Sequence, residues 1–494
     1  MFQAYESTRN SNLKSSASIA VLKGIADDGG LYVMRNLESI KINIEKLKDM
    51  SYKEMAETIL KEMLDDFSKD KIKECVDKAY TGKFSTDEIA PVAKVGDNYI
   101  TELFHGPTSA FKDVALSILP HLMTASYGMN NISNEVIILT ATSGDTGKAA
   151  LEGFKNVDGI KIAVFYPEGG VSEVQKTQMV TQEGNNTYVC AIRGNFDDAQ
   201  TGVKKMFTNE SLICELKKNN KIFSSANSIN IGRLVPQIVY YFYSYMKLVE
   251  RGSIKMMDKV NFSVPTGNFG NILAGFYAKM LGLPVNKLIC GSNENNVLYD
   301  FIKTGIYDRN RKFYKTISPS MDILVSSNLE RLLYYMSGKN NEEVKSLMEL
   351  LSTEGRYEVS DKIKKEIKDY FYAECVFESD TEKTIKETFE NYGYLLDTHT
   401  AVAYKALEDY KKETKDKTVS VIMSTASPYK FSGSVYESLY GKSDKDEFEI
   451  MEELFKKTGV SIPNNLRGLK NKKVIHTAVC EKGEMEDFVK KIAE

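Results

Sequence analysis

Cysteine and histidine are scarce in this sequence, and neither is grouped in the way that a metal site or a disulfide framework requires. The four histidines show no paired ligand spacing, and the six cysteines include no CxxC pair. These patterns argue against a structural zinc site and a disulfide-stapled fold, and we expect no bound metal. They are typical of a cytoplasmic protein with reduced, buried thiols. The cysteines are Cys75, Cys190, Cys214, Cys290, Cys375 and Cys480.

A strong net charge and a long apolar run are also missing. The 494 residues carry a formal net charge of -3, so no global field attracts nucleic acid or an anionic membrane. No run of about 18 apolar residues is present to span a bilayer, and residues 2–17 contain no apolar signal core. We therefore expect no nucleic-acid partner, no membrane association and a cytoplasmic location. The length and the 42% of hydrophobic residues predict a globular protein of two or three domains.

Three common catalytic motifs are absent as well. A serine nucleophile of the hydrolase type needs GxSxG, which the sequence lacks. The pair Gly147-Lys148 is followed by alanine, and position 142 is threonine where a P-loop needs glycine. The segment 267–270 lacks the GxGxxG spacing of a dinucleotide-binding fold. The sequence therefore gives no motif evidence for a serine hydrolase, a P-loop nucleotide site or a dinucleotide-binding fold.

From about residue 95, short apolar runs alternate with helical patterns, which predicts an α/β architecture with a mainly parallel sheet. Ser172, with Gln175 three residues later, predicts a capping box at one helix start. The predicted strands are 136–141, 160–165, 187–192, 260–264 and 419–423, and the predicted helices between them include 148–154, 199–206, 235–249 and 272–281.

The rest of the chain reads as additions to this α/β core. Residues 1–90 predict a small unit with helices over 42–50, 52–64 and 69–80. We expect the α/β core over 91–300, a charged helical insertion over 301–395, and a C-terminal part over 396–494 that completes the core. Within that last part, the tail from about 445 is polar, and we expect it to be peripheral.

Lys112 is the candidate for covalent chemistry. It follows the turn 105–111, and apolar residues at helical spacing place it at the start of a helix, where Thr108 is a candidate cap. The positive end of a helix disfavours an ammonium group, which should lower the pKa of the lysine. A neutral amine is the form that makes a Schiff base with a carbonyl group. The alternative is a solvated surface lysine.

Two glycine-containing loops resemble anion sites. Residues 142–147 and 267–271 each lie between a predicted strand end and a helix start, where free amides and the helix dipole can bind phosphate. A hydroxyl-rich strand end at Ser424 and Thr425 lies at the same predicted edge. We expect a phosphate-bearing ligand at the carboxyl edge of the sheet. An ordinary βα turn remains the alternative for each loop.

Six segments together resemble the threonine synthase family, which uses pyridoxal 5'-phosphate and shares fold type II with the tryptophan synthase β subunit. The match covers most of the chain in the family's order, and the insertion is similar to that of its longer branch. The segments are HGPTSAFKD at 105–113, TATSGDTG at 140–147, GNFDDAQ at 194–200, NSINIGR at 227–233, VPTGNFGN at 264–271 and DTHTA at 397–401.

The resemblance implies a fold of two open, mainly parallel α/β sheet domains, with a small N-terminal domain and a helical insertion. It implies that Lys112 forms the Schiff base with the cofactor and that Thr425 hydrogen-bonds the pyridine nitrogen. A hydroxyl partner would leave that nitrogen largely unprotonated and moderate the electron sink. The residues implied to cradle the cofactor phosphate are Gly267, Asn268, Phe269 and Asn271.

The reaction implied by the resemblance converts O-phospho-L-homoserine and water to L-threonine and phosphate. Lys112 would move protons at Cα and Cβ. Arg233 is the best candidate for the substrate phosphate, with Ser228, Asn230 and Lys176 as helpers. An aspartate at 145 would repel a substrate carboxylate unless it faces a hydroxyl or a cation. The residues expected to hold the substrate carboxylate or the ring oxygen of the cofactor are Ser143, Gly144, Asp145 and Thr146.

Several alternatives stay open on the sequence. Ser427 stands where the family more often has histidine, and His105 and His399 are candidates for positioning roles as well as for structural hydrogen bonds. An O-phosphohomoserine phospho-lyase or a serine/threonine dehydratase would use the same cofactor class. A non-catalytic protein that binds a phosphate-bearing ligand is the alternative from another class. We expect a small-molecule substrate, and either a monomer or a homodimer.

Overall fold

The computed structural model of the chain describes residues 4–142 and 144–494. Residues 5–80 form a small unit with strands β1 (Tyr5–Ser7), β2 (Asn10–Ser15) and β3 (Tyr32–Met34) and helices α1 (Ala17–Lys23), α2 (Tyr52–Met63) and α3 (Lys69–Tyr80). The predicted helices at 52 and 69 are confirmed. The predicted helix over 42–50 is wrong, because only Ile44–Leu47 forms a short 3-10 turn and Asp49 has a left-handed φ of 64°.

Residues 92–224 alternate between strands and helices, as the sequence predicts. The strands are β4 (Val92–Val95), β5 (Asn98–Glu102), β6 (Glu135–Ala141), β7 (Ile160–Pro167), β8 (Thr187–Arg193) and β9 (Lys221–Ser224). The helices are α4 (Lys112–Leu116), α5 (Leu119–Asn130), α6 (Asp145–Phe154), α7 (Glu173–Val180), α8 (Phe196–Thr208) and α9 (Glu210–Lys218). The predicted capping box of α7 is confirmed, since the Ser172 side chain accepts a hydrogen bond from the Gln175 amide and the Gln175 side chain accepts one from the Ser172 amide.

The alternation continues through α10 (Ile231–Glu250), β10 (Val260–Pro265), α11 (Gly270–Met280), β11 (Val285–Ser292), α12 (Val297–Thr304) and β12 (Ile306–Asp308). The remaining elements are α13 (Leu329–Met336), α14 (Asn341–Thr353), β13 (Arg356–Glu358), α15 (Asp361–Tyr370), β14 (Phe371–Cys375), α16 (Glu378–Tyr392), α17 (Thr398–Thr414), β15 (Ser420–Ser424), α18 (Ser432–Tyr440), α19 (Glu447–Thr458), β16 (Ala478–Glu481) and α20 (Met485–Ala493).

Two open sheets dominate the topology. The larger has the order β14-β11-β10-β15-β5-β4, and all of its neighbours are parallel except β4 and β5. The smaller has the order β16-β8-β7-β6-β9 and is parallel throughout. The N-terminal unit adds a small antiparallel sheet, β2-β1-β3, and packs α1 on α5 and α2 on α10. The predicted fold class, two mainly parallel α/β sheets with a small N-terminal unit, is confirmed.

Two edge strands of the sheets lie in regions that the sequence predicts to be a helical insertion and a peripheral tail. The range 301–395 is mostly helical, but it contains β14, which pairs in parallel with β11. The tail predicted to be peripheral contains β16, the edge partner of β8, and α20, whose Met485, Val489 and Ile492 are buried. The division of the chain at 90, 300 and 395 stays a prediction. Within the described residues, no helix combines the length and the apolar character needed to cross a membrane.

Candidate active site

Lys112 is the first residue of α4, at the predicted helix start, and the turn before it is tied to the end of β15. Ala110 forms an antiparallel bridge with Ala426, and the Phe111 amide donates to the Thr425 carbonyl over 2.8 Å. The lysine is only 9% exposed, which excludes the alternative of a solvated surface residue. The fold therefore fixes Lys112 against the end of a buried strand of the larger sheet.

The turn before Lys112 is closed by Asp113. Its carboxylate accepts hydrogen bonds from the Thr108 amide at 2.8 Å and the Thr108 hydroxyl at 2.6 Å. Thr108 is therefore not the cap of α4, whose first turn has no side-chain cap. A Cβ at Gly106 would lie 2.3 Å from Cβ of Asp113, so the turn closes only around glycine. Burial raises the pKa of Asp113 to about 6, although the Thr108 hydrogen bonds lower it.

The surroundings of the Lys112 amine favour its neutral form. Burial lowers the pKa of Lys112, and the nearby charges of Arg233 and Lys430 lower it further, whereas Asp145 raises it. The amine lies 3.4 Å from Oδ2 of Asp145 and 5.1 Å from the centre of the Phe111 ring. Desolvation is thus the largest cause of the lowered pKa, where the sequence suggested only the helix dipole. An amine of this kind is suited to attack a carbonyl group.

Asp145 begins α6 and is buried among cations. Its Oδ1 accepts a hydrogen bond from Nε2 of Gln175 at 2.9 Å and lies 3.1 Å from Nζ of Lys430. Burial alone would raise the pKa of Asp145, but the charges of Lys430 and Lys112 hold it well below its usual range. The cation that an aspartate at this position requires is therefore present. Gly144 precedes it with a φ of 135°, and a Cβ there would collide with the Gln175 amide.

The loop before α11 forms an open anion cradle. Phe269 is the N-cap residue in left-handed geometry with a φ of 61° and provides no side-chain cap, so the first amides of α11 are left for a ligand. A Cβ at Gly267 would lie 2.6 Å from the Ser320 carbonyl oxygen, so this approach requires glycine. Oδ1 of Asn271 accepts hydrogen bonds from the hydroxyls of Tyr240 and Tyr241, and its buried Nδ2 has no partner among the described residues.

Arg233 lies in the first turn of α10 and is 3% exposed. Its Nη1 donates to the Ala226 carbonyl at 2.7 Å, whereas its buried Nε has no partner within residues 4–142 and 144–494. Burial lowers the pKa of Arg233 to about 10, so the guanidinium remains charged at neutral pH. A buried cation with an unused donor is a ready partner for an anionic ligand.

One cavity of about 240 Å³ joins most of the predicted residues. The predicted residues that line it are Lys112, Asp145, Thr146, Ser228, Arg233, Gly267, Asn268, Phe269, Asn271 and Thr425. Gly144 and Asn230 do not line it. Asn230 caps α10, accepting from the Gly232 amide at 2.8 Å and donating to the carbonyls of Val21 and Ser225. Ser143 lies outside the described residues, and Lys176 pairs with Glu173 on the surface.

The two histidines considered on the sequence are separated by the structure. His399 lines the cavity, its Nε2 accepting from the Ser320 amide at 3.0 Å. His105 lies outside it, between the Ser85 hydroxyl and the Glu102 carboxylate. Ser427 also lies outside the cavity, and its hydroxyl accepts from the Tyr429 amide at the start of the 3-10 turn Pro428–Phe431.

Several residues near the cavity were missed on the sequence. Gln200 and Lys204 of α8 line it, as do Gln237 of α10 and the segment 319–323. The motif at 194–200 includes Gln200. Nothing in the local sequence marks the segment 319–323, which reaches the cavity through tertiary folding. Lys430 and Gln175, which contact Asp145, were missed because they come from separate elements. The cavity as a whole suits a ligand with an anionic group that reacts with an amine.

Comparisons with protein families cover nearly the whole chain. Residues 4–80 match the model "Threonine synthase N terminus", residues 99–425 match "Pyridoxal-phosphate dependent enzyme", and residues 400–481 match "Threonine synthase, C-terminal". The boundaries of these matches coincide with the N-terminal unit and with the α/β part that contains the cavity.

Individual relatives agree with the family models. A threonine synthase of Pseudomonas aeruginosa is 37% identical over 89% of the chain and 91% of its own length. The Homo sapiens protein "Threonine synthase-like 1" is 40% identical over 85% of the chain, but the chain spans only 58% of the length of that relative. The crystal structure of pyridoxal-phosphate-bound threonine synthase from Brucella melitensis is 34% identical, with a TM-score of 0.87 and complete coverage of both chains.

Proposed function

Because this chain belongs to the threonine synthase family of pyridoxal-phosphate-dependent enzymes, we propose that it converts O-phospho-L-homoserine and water to L-threonine and phosphate. The observation that carries the proposal is the cavity that joins a buried amine, an open anion cradle and a buried arginine. These are the groups needed to hold a phosphate-bearing cofactor and a phosphate-bearing substrate side by side.

The residues present fit pyridoxal phosphate. We propose that Lys112 tethers the cofactor, that Gly267, Asn268, Phe269 and Asn271 hold its phosphate, and that Thr425 faces its pyridine nitrogen. The unpaired Nδ2 of Asn271 and the uncapped start of α11 support the phosphate assignment. When bound, the cofactor supplies an electron sink for carbanions formed next to the substrate amine.

Arg233 is proposed to bind the substrate phosphate, with Ser228 beside it in the cavity. Its unused Nε and its buried charge support this role, because a guanidinium forms charge-assisted hydrogen bonds with phosphate oxygens. Lys204, exposed at the edge of the same cavity, adds a second cation there. Fixing the phosphate orients the Cγ–O bond for cleavage, so that phosphate can leave, and it keeps Cα and Cβ near Lys112.

Lys112 is proposed to move protons at Cα and Cβ once the substrate amine has released it. Its lowered pKa supports a neutral amine that accepts a proton, and burial excludes bulk water from the exchange. The substrate carboxylate is proposed to bind Thr146, which lines the cavity in the first turn of α6. Asp145 is not proposed for that role, because its carboxylate is already matched with Lys112 and Lys430.

We also propose that the reaction takes place in the cytoplasm. The six cysteines are scattered along the chain without a CxxC pair, and four of them are buried: Cys75, Cys190, Cys290 and Cys480. Scattered, buried cysteines of this kind are typical of a reducing compartment.

Product analysis tests the proposed reaction. The purified chain is incubated with pyridoxal phosphate and O-phospho-L-homoserine, and the amino or keto acid formed is identified together with the released phosphate. Threonine and phosphate in equal amounts are expected. A keto acid with phosphate would support the phospho-lyase alternative instead, and no turnover in protein that carries the cofactor would contradict both enzymatic readings.

A further inference from the structure

Lys430 is a completely buried lysine outside the cavity, with an exposed fraction of 0%. It lies in the 3-10 turn Pro428–Phe431 that follows β15. Its Nζ lies 3.1 Å from Oδ1 of Asp145 and donates a hydrogen bond to Oε1 of Gln178. An ammonium group removed from water is stable only with such partners, so the fold commits two side chains to keeping this charge in place.

The partner of Lys430 is shared with the candidate catalytic lysine. The Asp145 carboxylate faces Lys430 with Oδ1 and Lys112 with Oδ2, the latter at 3.4 Å. Nε2 of Gln175 donates to Oδ1 at 2.9 Å, and the other end of Gln175 accepts from the Ser172 amide in the capping box. The carboxylate is thus held between two amines by a side chain that is itself anchored to the start of α7.

One negative charge therefore stands between two lysines. Other charged or titratable groups that act on this cluster include Arg233 from α10 and His399 from α17. The charge of Lys430 also acts on Asp113 of α4 and on Lys148 of α6. Among the groups that act on Lys112, Arg233 and Lys430 lower the pKa of its amine and Asp145 raises it.

We propose that Lys430 is a positioning residue that competes with Lys112 for the Asp145 carboxylate and so keeps the Lys112 amine free to react with the cofactor aldehyde. The inference deepens the proposed function and rests on the role given there to Lys112. Of the two amines, Lys430 is the more closely paired, because it is nearer to Asp145 and also bonded to Gln178. Lys112 has the longer contact with Asp145 and borders the cavity, so it is the amine that a cofactor aldehyde can reach.

Removal of the Lys430 side chain should change the pKa of the Lys112 amine without altering a residue that lines the cavity. In Lys430→Met, Lys112 is the one described lysine still paired with the Asp145 carboxylate, which stabilises the ammonium form of Lys112. A rise of about one unit in the pKa of Lys112 would lower its neutral fraction about tenfold at a fixed pH below that value. Asp145→Asn removes the carboxylate, which should lower the pKa of Lys112 and shift the pH dependence of its reaction with an aldehyde to lower pH. The double variant removes one charge of each sign and should lie near the wild type.

Covalent trapping measures this directly. Apoprotein is mixed with pyridoxal phosphate and a borohydride reductant over a range of pH, and the modified lysine is located by peptide mass spectrometry. The rate of adduct formation at Lys112 against pH gives the apparent pKa of the amine independently of turnover. Lys148→Met is the matched control, because Lys148 is another largely buried lysine, paired with Glu152 and not with Asp145. Its profile should match the wild type.

The outcomes separate this inference from the proposed function. A profile for Lys430→Met displaced to higher pH, with the double variant restored, supports the inference. An unchanged profile for Lys430→Met with the adduct still on Lys112 overturns the inference alone. An adduct that forms on another lysine in the wild type overturns the proposed role of Lys112 as well. If Lys430→Met does not fold, as judged by circular dichroism, Asp145→Asn still decides: a profile that does not move to lower pH contradicts the inference.

Discussion

The two loops that border the cavity share a sequence pattern and differ in chemistry. In each, a buried strand ends in a polar loop that contains glycine, and a helix begins at once. In the segment 266–271 the helix start is uncapped, and the nearby Tyr240 and Tyr241 hydroxyls orient Asn271. In the segment 142–147 the amides of Gly144 and Gly147 both donate to Oγ1 of Thr142, and the first helical residue is a carboxylate.

The difference indicates that a loop of this pattern is suited to an anion where its amide donors remain unused. The segment 266–271 keeps them, and it fits a phosphate. The segment 142–147 gives two of its amides to Thr142 and adds the negative charge of Asp145, so that part of it organises cations instead. Lys112 lines the same cavity as the segment 266–271 and lies 3.4 Å from the carboxylate of Asp145. On the proposed function, this one amine therefore meets both a phosphate-bearing cofactor and a carboxylate.

Loss of Lys112 should have the largest effect, because it removes the group on which both loops converge. Lys112→Ala is expected to lower threonine formation by about 10³-fold or more, since the proposed tether and the proton-transferring group are lost together. It should also remove the visible absorbance of cofactor bound to the amine. Turnover and spectrum are measured on the same protein, with Lys148→Ala as a control that retains Lys112. Substantial threonine formation by Lys112→Ala would contradict the assignment.

Closing the cradle at Gly267 should weaken cofactor binding without affecting the other loop. The new Cβ in Gly267→Ala would lie 2.6 Å from the Ser320 carbonyl oxygen, so the backbone must shift where the phosphate is proposed to bind. We expect roughly a 10- to 100-fold increase in the dissociation constant for pyridoxal phosphate, which corresponds to the usual cost of overpacking. The constant is measured by absorbance titration of apoprotein.

Gly270→Ala is the matched control for this substitution. A Cβ there meets no atom closer than 3.7 Å, and the residue already has helical geometry in α11. Its affinity for the cofactor should stay near that of the wild type. Equal weakening by both substitutions would mean that the cradle does not depend on the approach at Gly267.

The second loop, the segment 142–147, is held by the Thr142 hydroxyl. In Thr142→Val the Gly144 and Gly147 amides lose their buried acceptor, which should lower the free energy of unfolding by about 1 to 2 kcal/mol. Thr140→Val, two residues earlier in β6, is the control, because the buried Thr140 hydroxyl has no partner among the described residues. That change should be nearly neutral. Denaturant unfolding of both variants tests the contrast, and equal stabilities would show that Thr142 does not hold the loop.

The sequence predicted much of this site because its signals are local. The strand before each loop, the glycines and the start of α4 at Lys112 all follow from patterns of a few residues, and the structure brings them to one cavity. It did not predict the partners of Asp145, because Lys430 comes from a different part of the chain and a buried lysine has no distinctive local pattern. It also missed β14 and β16, edge strands in charged surroundings whose pairing depends on β11 and β8. Long-range pairing of this kind leaves little trace in hydrophobic periodicity.

The smallest expected effect concerns the turn that holds Lys112 between the loops. Burial raises the pKa of Asp113 to about 6, above its value in the unfolded chain, so the folded state binds the proton more tightly. The stability contributed by the protonated form is therefore complete at low pH and is lost as the pH rises toward 6. Between pH 4 and pH 5 this group should lower the free energy of unfolding by on the order of 1 kcal/mol.

Asp113→Asn, which cannot ionise, isolates that contribution. Denaturant unfolding of the wild type and the variant at several pH values gives the difference in free energy as a function of pH, in which the titrations common to both proteins cancel. The wild type should lose stability relative to the variant as the pH rises from 4 to 6, and the difference should then level off. A difference that is flat over this range would show that the Thr108 hydrogen bonds keep Asp113 ionised in the folded turn, so that the turn holds a second fixed carboxylate close to Lys430.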